Sequence, residues 1–160
     1  MTTTLMTAED RLAELDIQMP DAPTPFGAYV PAVQTGNLLF LSGMLATSGH
    51  TATVVGVVGA DLDVKAGREA AYTAALNVLA LAKKQLGSLN RVSHVVRLGV
   101  YVAATPDFTE HPKVADAASE LLRDVFGDQS ISSRLVFGVA SLPLGSPIEL
   151  EVILEVQPQG

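Results

Sequence analysis

Arg134 stands at the head of the alternating apolar stretch RLVFGV, where a sheet strand is expected. A guanidinium on a strand is costly to bury alone and needs an anion. Its planar fork of donors matches a carboxylate in bidentate fashion. The anion is either a side chain of this chain, for which Glu149 on the following strand is a candidate, or a bound ligand; the residue pattern leaves both open.

The other groups with chemical capacity have structural uses close at hand. His50, His94 and His111 fall in a loop, at a strand start and near a helix start, and no two have the i, i+4 spacing of a metal site, so no metal is expected. Asp61, Asp63 and Glu69 surround a helix start and suit its dipole. Tyr29 and Tyr101 suit amphipathic packing, and Arg97 suits a cross-strand or interface pair. Gly56, Gly59 and Gly67 lack the Lys-Ser/Thr that a phosphate loop requires. The absence of cysteine excludes a thiolate nucleophile and any cysteine-ligated metal.

The elements that position these groups follow from periodicity. Thr7, Asp10, Leu12, Leu15 and Ile17 suggest a short capped helix ending before Pro20, and the prolines at 20, 23 and 25 mark an extended connector. Residues 29–34 and 38–42 read as a hairpin around Gly36-Asn37, and residues 51–58 as a short, glycine-broken third strand. Asp63 to Leu86, rich in alanine and leucine with Gly87 beyond it, predicts a long helix. Its apolar stripe includes Ala70, Ala71, Ala74, Ala75, Val78 and Leu79. Residues 92–103 form a central strand with Val96, Leu98, Val100 and Val102 on one face and Arg97, Gly99 and Tyr101 on the other. A second amphipathic helix carries Val114, Ala117, Ala118, Leu121, Leu122 and Val125, with Pro112 in its first turn and Gly127 past its end. Strands at 134–139 and 148–156 complete the chain, the last placing Glu149, Glu151, Ile153 and Glu155 on one face. The expected architecture is α+β, one mixed sheet with two helices on one face. The opposite face would present Leu38, Phe40, Tyr101, Val136 and Ile153, a half-apolar surface that a symmetric homo-oligomer would cover.

At 160 residues the chain suits one core, and a net charge of −7 works against binding a nucleic-acid backbone. No run of Lys or Arg offers a local basic groove. The start, MTTTLMTAEDRLAEL, lacks the basic and apolar regions of a secretory signal, and no apolar run approaches membrane-spanning length; a cytoplasmic location is the expectation.

Two stretches carry a resemblance. SRLVFGVASLPLGSPIELEVILEV, residues 133–156, has a small residue and arginine, an alternating strand, Leu-Pro, a short turn and a strand alternating hydrophobic residues with glutamate. FGAYVPAVQTGNLLFLSGML, residues 26–45, brings Tyr29, the Gly36-Asn37 turn and Ser42-Gly43 into the same register. Together they resemble the RidA/YjgF family, in a longer branch of it, over roughly residues 23–157; residues 1–22 form a separate N-terminal helix and connector, and 23–160 the family-like domain. The resemblance implies a chorismate-mutase-like fold and a homotrimer with clefts between subunits. It further implies hydrolysis of short-lived 2-imino acids to 2-oxo acids and ammonia, without metal or coenzyme. Arg134 would then clamp the substrate carboxylate and Glu149 orient or deprotonate the attacking water, with Tyr29, Ser42 and Gly43 lining the cleft. Val136 stands where deaminating members often carry cysteine, which implies a differently shaped pocket. A trimer that holds a small carboxylate without turnover is the alternative; ribonuclease activity, attached by name to some relatives, sits poorly with the acidic surface.

Overall fold

The computed structural model describes residues 4–158; residues 1–3 and 159–160, at the outer ends of the two expected segments, lie outside the described residues. Helix α1 spans Ala8–Glu14 and is followed by the hairpin β1 (Ala32–Thr35) and β2 (Leu38–Leu41). Three two-residue strands come next, β3 (Met44–Leu45), β4 (Thr47–Ser48) and β5 (Thr51–Ala52). The rest of the chain is α2 (Val64–Leu86), β6 (Val92–Ala103), α3 (His111–Phe126), β7 (Ser133–Val139) and β8 (Ile148–Val156). The strands form a mixed sheet in the order β1-β2-β8-β6-β7, with β3 also on β8. β6 and β7 are parallel, joined by the α3 crossover, and the other pairings are antiparallel.

Local chemistry sets the helix ends. Thr7 and Asp10 form a reciprocal capping box at α1, Asp63 Oδ1 accepts from the Ala66 amide 2.8 Å away at α2, and Gly87 ends α2 in the left-handed conformation. The predicted alanine stripe of α2 is buried on the sheet, and small side chains there allow a close approach. Gly67 has the same effect on the neighbouring face, where an added Cβ would lie 3.2 Å from both γ-methyls of Val114 on α3. α1 joins the two expected helices by burying Ala8 and Leu12 in the same core. Its Glu9 accepts from the Leu89 amide and pairs with Lys83, tying the N-terminal segment to the end of α2.

Four expectations are corrected. The first strand begins at Ala32, so Tyr29 precedes the sheet, and the third strand reduces to Thr51–Ala52 paired with Thr47–Ser48 because glycines interrupt the run beyond. Within β6, irregularities between Val92/His94 and Val95/Arg97 shift the alternation, so Val95 enters the core and Val96 does not. On β7 the pairing of Val136 with Val100 turns Val136 toward the helices, and Leu135 and Phe137 take the open face instead. That face still carries Phe40, Leu38, Tyr101 and Ile153 as expected, opposite the core side where Leu150, Val152 and Leu154 lie.

Asn77 pins the small strands to α2. It is buried, and its Nδ2 donates to the carbonyls of Leu45 and Thr47, both at 3.0 Å. Replacing Asn77 with leucine leaves two buried carbonyls short of a donor, and a loss of about 2 kcal/mol in unfolding free energy is expected by denaturant titration. A change below about 0.5 kcal/mol would contradict this role.

Candidate functional site

β8 alternates strictly, so Glu149 leaves the core and emerges on the open sheet face opposite Tyr101 of β6 and Leu45 of β3. The approach from β2 to β3 is irregular. Phe40 pairs with Ile153 and Met44 with Leu150, so residues 41–43 face only 151–152 across the ladder, one residue in excess. Such a bulge re-aims the chain, and here it brings Gly43 against the Glu149 side chain. A Cβ at position 43 would overlap Glu149 Oε1 and stand 3.1 Å from its carboxyl carbon. Ser42 anchors the same turn, its hydroxyl donating to the Val30 carbonyl at 2.6 Å and its amide to the Pro31 carbonyl at 2.9 Å.

The segment before β1 closes the other side. Tyr29 is 48% exposed, and its phenolic oxygen accepts from the Phe26 amide at 3.0 Å, leaving the O–H proton for a ligand. Phe26 stacks on His50, with ring centroids 4.3 Å apart, and His50 shares a 2.7 Å hydrogen bond with Thr24 Oγ1. His50 thus supports the wall and does not line it. The result is a cavity of about 610 Å³ lined by Tyr29, Ser42, Gly43 and Glu149 on its polar side. Phe26, Leu45, Pro143 and Leu144 supply apolar walls. These four are additions to the residues singled out in the sequence. Their signal is faint there, because a proline turn or a lone leucine acquires a pocket role only through tertiary placement. A second concavity of about 550 Å³ on the other side of Glu149 includes Phe40, Tyr101 and Glu151.

Arg134 lies elsewhere. It pairs in register with Leu98, whose side chain is in the core, so the guanidinium projects on the helix side of the edge strand β7. Its Nη1 donates to Asp116 Oδ1 at 2.7 Å and to Ser119 Oγ at 3.1 Å, both on α3. Glu149 is therefore not its partner within the chain. The two residues are separated by two strand spacings, about 10 Å, and by three residues along the strands, about another 10 Å, and they project from opposite faces. The Arg134–Asp116 pair does not seal the guanidinium, whose side chain is 25% exposed against 48% for Asp116. Among the described residues only Nη1 is engaged. Val136 lies beside Arg134 on β7, packed against the core and away from the Glu149 cavity.

The remaining candidates take structural places. Arg97 Nε pairs diagonally with Glu151 at 3.2 Å, Asp61 accepts from the Val57 amide at 3.1 Å, and His111 packs edge-on against Phe108. Among the described residues, no group of three or more His, Asp or Glu side chains is arranged to hold a metal, and no helix is long and apolar enough to cross a membrane.

Burial pushes the Glu149 carboxyl above the ordinary glutamate value, and among the described residues of the chain no cation lines its cavity to oppose the shift. The folded protein then holds that proton more tightly than the unfolded chain. The favourable contribution is complete below the unfolded pKa and is lost as pH rises through the folded one. Glu149→Gln, which stays uncharged, is expected to raise Tm relative to the wild type at about pH 7.5 and to lose that advantage below about pH 4. An equal difference at both pH values, in thermal unfolding followed by circular dichroism, would contradict desolvation as the cause.

The model of the family described as "YjgF/chorismate_mutase-like, putative endoribonuclease" matches residues 9–156, starting inside α1. Protein TCP17 of Trypanosoma cruzi is 38% identical over 146 residues, covering 91% of each chain. The 2-iminobutanoate/2-iminopropanoate deaminase of Dermatophagoides farinae is 29% identical over 142 residues, 88% of this chain and 95% of that one. The crystal structure of protein Atu1372 from Agrobacterium tumefaciens superposes with a TM-score of 0.86 at 37% identity, covering 94% of this chain and 92% of that one. Matched over nearly its whole length in sequence and in fold, the chain belongs to the RidA/YjgF family, with its chorismate-mutase-like α+β architecture.

Proposed function

We propose that this protein is a hydrolase of small reactive 2-imino acids, working as a homotrimer in the cytoplasm with its sites in the clefts between subunits. The observation that carries the proposal is the division of the site residues. Tyr29, Ser42, Gly43 and Glu149 meet in one cavity that has no cationic lining residue, while Arg134 stands at the far sheet edge on the other face. A cleft built from two copies brings the guanidinium of one to the carboxylate cavity of the other, which a single chain cannot do. The kinship with a relative named 2-iminobutanoate/2-iminopropanoate deaminase supplies the reaction class.

The chemistry asks little of the protein. A protonated imine is already electrophilic at C2, so neither a metal nor a coenzyme is needed to activate it. Arg134 grips the substrate carboxylate, held in place by Asp116 and Ser119 so that little side-chain freedom is lost on binding. Glu149 takes a proton from water as its oxygen bonds to C2. The same carboxyl group returns a proton to the nitrogen, then takes the proton of the new C2 hydroxyl as the C–N bond breaks, giving ammonia and the 2-oxo acid, and releases that proton to solvent. A carboxyl pKa raised by burial brings Glu149 nearer to working pH for these transfers, and the guanidinium of the second copy, neutralised by the substrate carboxylate it grips, does little to reverse that shift. Tyr29 and Ser42 orient the water and the substrate from the hairpin side, and Val136 shapes the Arg134 side of the cleft. The net charge of −7 and the lack of any run of Lys or Arg in the sequence argue against a ribonuclease role.

Generating 2-iminopropanoate or 2-iminobutanoate in the assay and following oxo-acid release tests the reaction directly. Acceleration over buffer is expected, and Arg134→Ala should lose at least about 2 kcal/mol of transition-state stabilisation, roughly 30-fold in kcat/KM. No acceleration by the wild type would overturn the activity. Thermal stabilisation by 2-oxo acids without turnover would instead mark a small-carboxylate binder.

A further inference from the structure

The rim of the Glu149 cavity holds a backbone conformation that its amino acid disfavours. Leu144 has φ 60° and ψ 10° and is followed by Gly145 at φ 70°. Consecutive left-handed residues suit glycine, asparagine or aspartate, whereas leucine crowds its own backbone there. Leu144 is nevertheless 46% exposed, so burial within the chain does little to offset the strain. The turn is also held from relaxing. The Gly145 carbonyl accepts from the Gly56 amide at 3.1 Å, the Val55 side chain packs where a Gly145 Cβ would point, and the buried Ser146 hydroxyl donates to the Ile148 carbonyl at 2.8 Å. A strained conformation kept in place by its surroundings, with an exposed apolar side chain as its product, points to a ligand-facing role.

The cavity itself indicates which part of a ligand Leu144 meets. Phe26, Leu45, Pro143 and Leu144 form an apolar wall facing the polar group of Tyr29, Ser42 and Glu149. Its volume of about 610 Å³ leaves room for far more than a three-carbon acid. With the reacting carbon at Glu149, the substituent on C3 has this wall as its contact.

We propose that Leu144 is a specificity-determining residue that receives the side chain of the substrate and selects 2-imino acids with branched or aromatic apolar side chains over the smallest ones. The inference rests on the deaminase reading for the reacting group but not for the preference, which binding also reports. Each methylene buried against the wall favours the larger acid by on the order of fourfold, so three added carbons give a preference of roughly tenfold or more after ordering costs.

Leu144→Gly removes the side chain while keeping the left-handed backbone accessible, so the turn survives the change. Two readouts separate the inferences. The first is kcat/KM for imino acids generated from alanine, leucine and phenylalanine. The second is Kd for pyruvate, 4-methyl-2-oxopentanoate and phenylpyruvate by calorimetry. The wild type is expected to favour the larger acids by at least about tenfold in both measures, and Leu144→Gly to bring that ratio close to one. A wild-type preference for the smallest acid, or a ratio unchanged in Leu144→Gly, overturns the inference. So does a loss of assembly mass in the variant, which would place Leu144 in a subunit contact. A binding preference without turnover supports the role of Leu144 and removes the deaminase reading, whereas turnover without preference does the reverse. Neither binding nor turnover removes both.

Discussion

The Glu149 carboxyl group rests against the backbone of Gly43, and the space it occupies exists only because residue 43 has no Cβ. Most of the cavity follows from that contact. The excess residue in the β2–β3 approach delivers Gly43 to β8, the Ser42 hydroxyl fixes the approach to the Val30 carbonyl, and the chain between 26 and 31 closes over the same spot. A half-buried carboxylate with no cation beside it among the described residues of its own chain is unfavourable as an isolated structural feature. It becomes useful where proton transfer needs a carboxyl group whose pKa lies above the ordinary range.

The second constraint is separation. β6 lies between β8 and β7, so every residue on β7 is two strand spacings from β8, and strand alternation assigns Arg134 and Glu149 to opposite faces. Asp116 and Ser119 hold the arginine at the sheet edge through one nitrogen, so the pair orients the guanidinium without enclosing it. An exposed ion pair of this kind contributes little to stability, at most about 1 kcal/mol, so its value lies in placement. A half-apolar sheet face carrying Phe40, Tyr101, Phe137 and Ile153 is the surface that the proposed assembly would cover with a second copy.

Much of this architecture was legible in the sequence wherever a local signal fixes the outcome. Asp63 and Gly87 bound the long helix by capping chemistry, the Gly36-Asn37 dipeptide sets the hairpin, and the alternation of β8 separates core from surface without ambiguity. The signal fails where neighbouring residues are alike or where distant elements decide. Leu135, Val136 and Phe137 are all apolar, so alternation cannot say which faces the helices, and only the register with β6 does. The bulges in β6 leave no mark in the stretch VSHVVR, where the adjacent Val95 and Val96 suit the core equally. The Asp116 partner of Arg134 sits 18 residues away on a helix whose polar face gave no reason to prefer it over Glu149. Leu144 is invisible as a candidate until its backbone angles are known, because an exposed leucine in a turn has no periodicity.

The proposed division of the site between two copies is open to one decisive measurement. Arg134→Ala and Glu149→Gln chains, each inactive alone, are unfolded, mixed in equal amounts and refolded together. In a ring where each cleft takes its arginine from one subunit and its glutamate from the next, random assembly leaves about one cleft in four with both groups intact, so turnover near a quarter of the wild-type value is expected. A mixture as inactive as its components, although mass measurement shows mixed assemblies, would place the two residues in the service of the same chain and contradict a shared site.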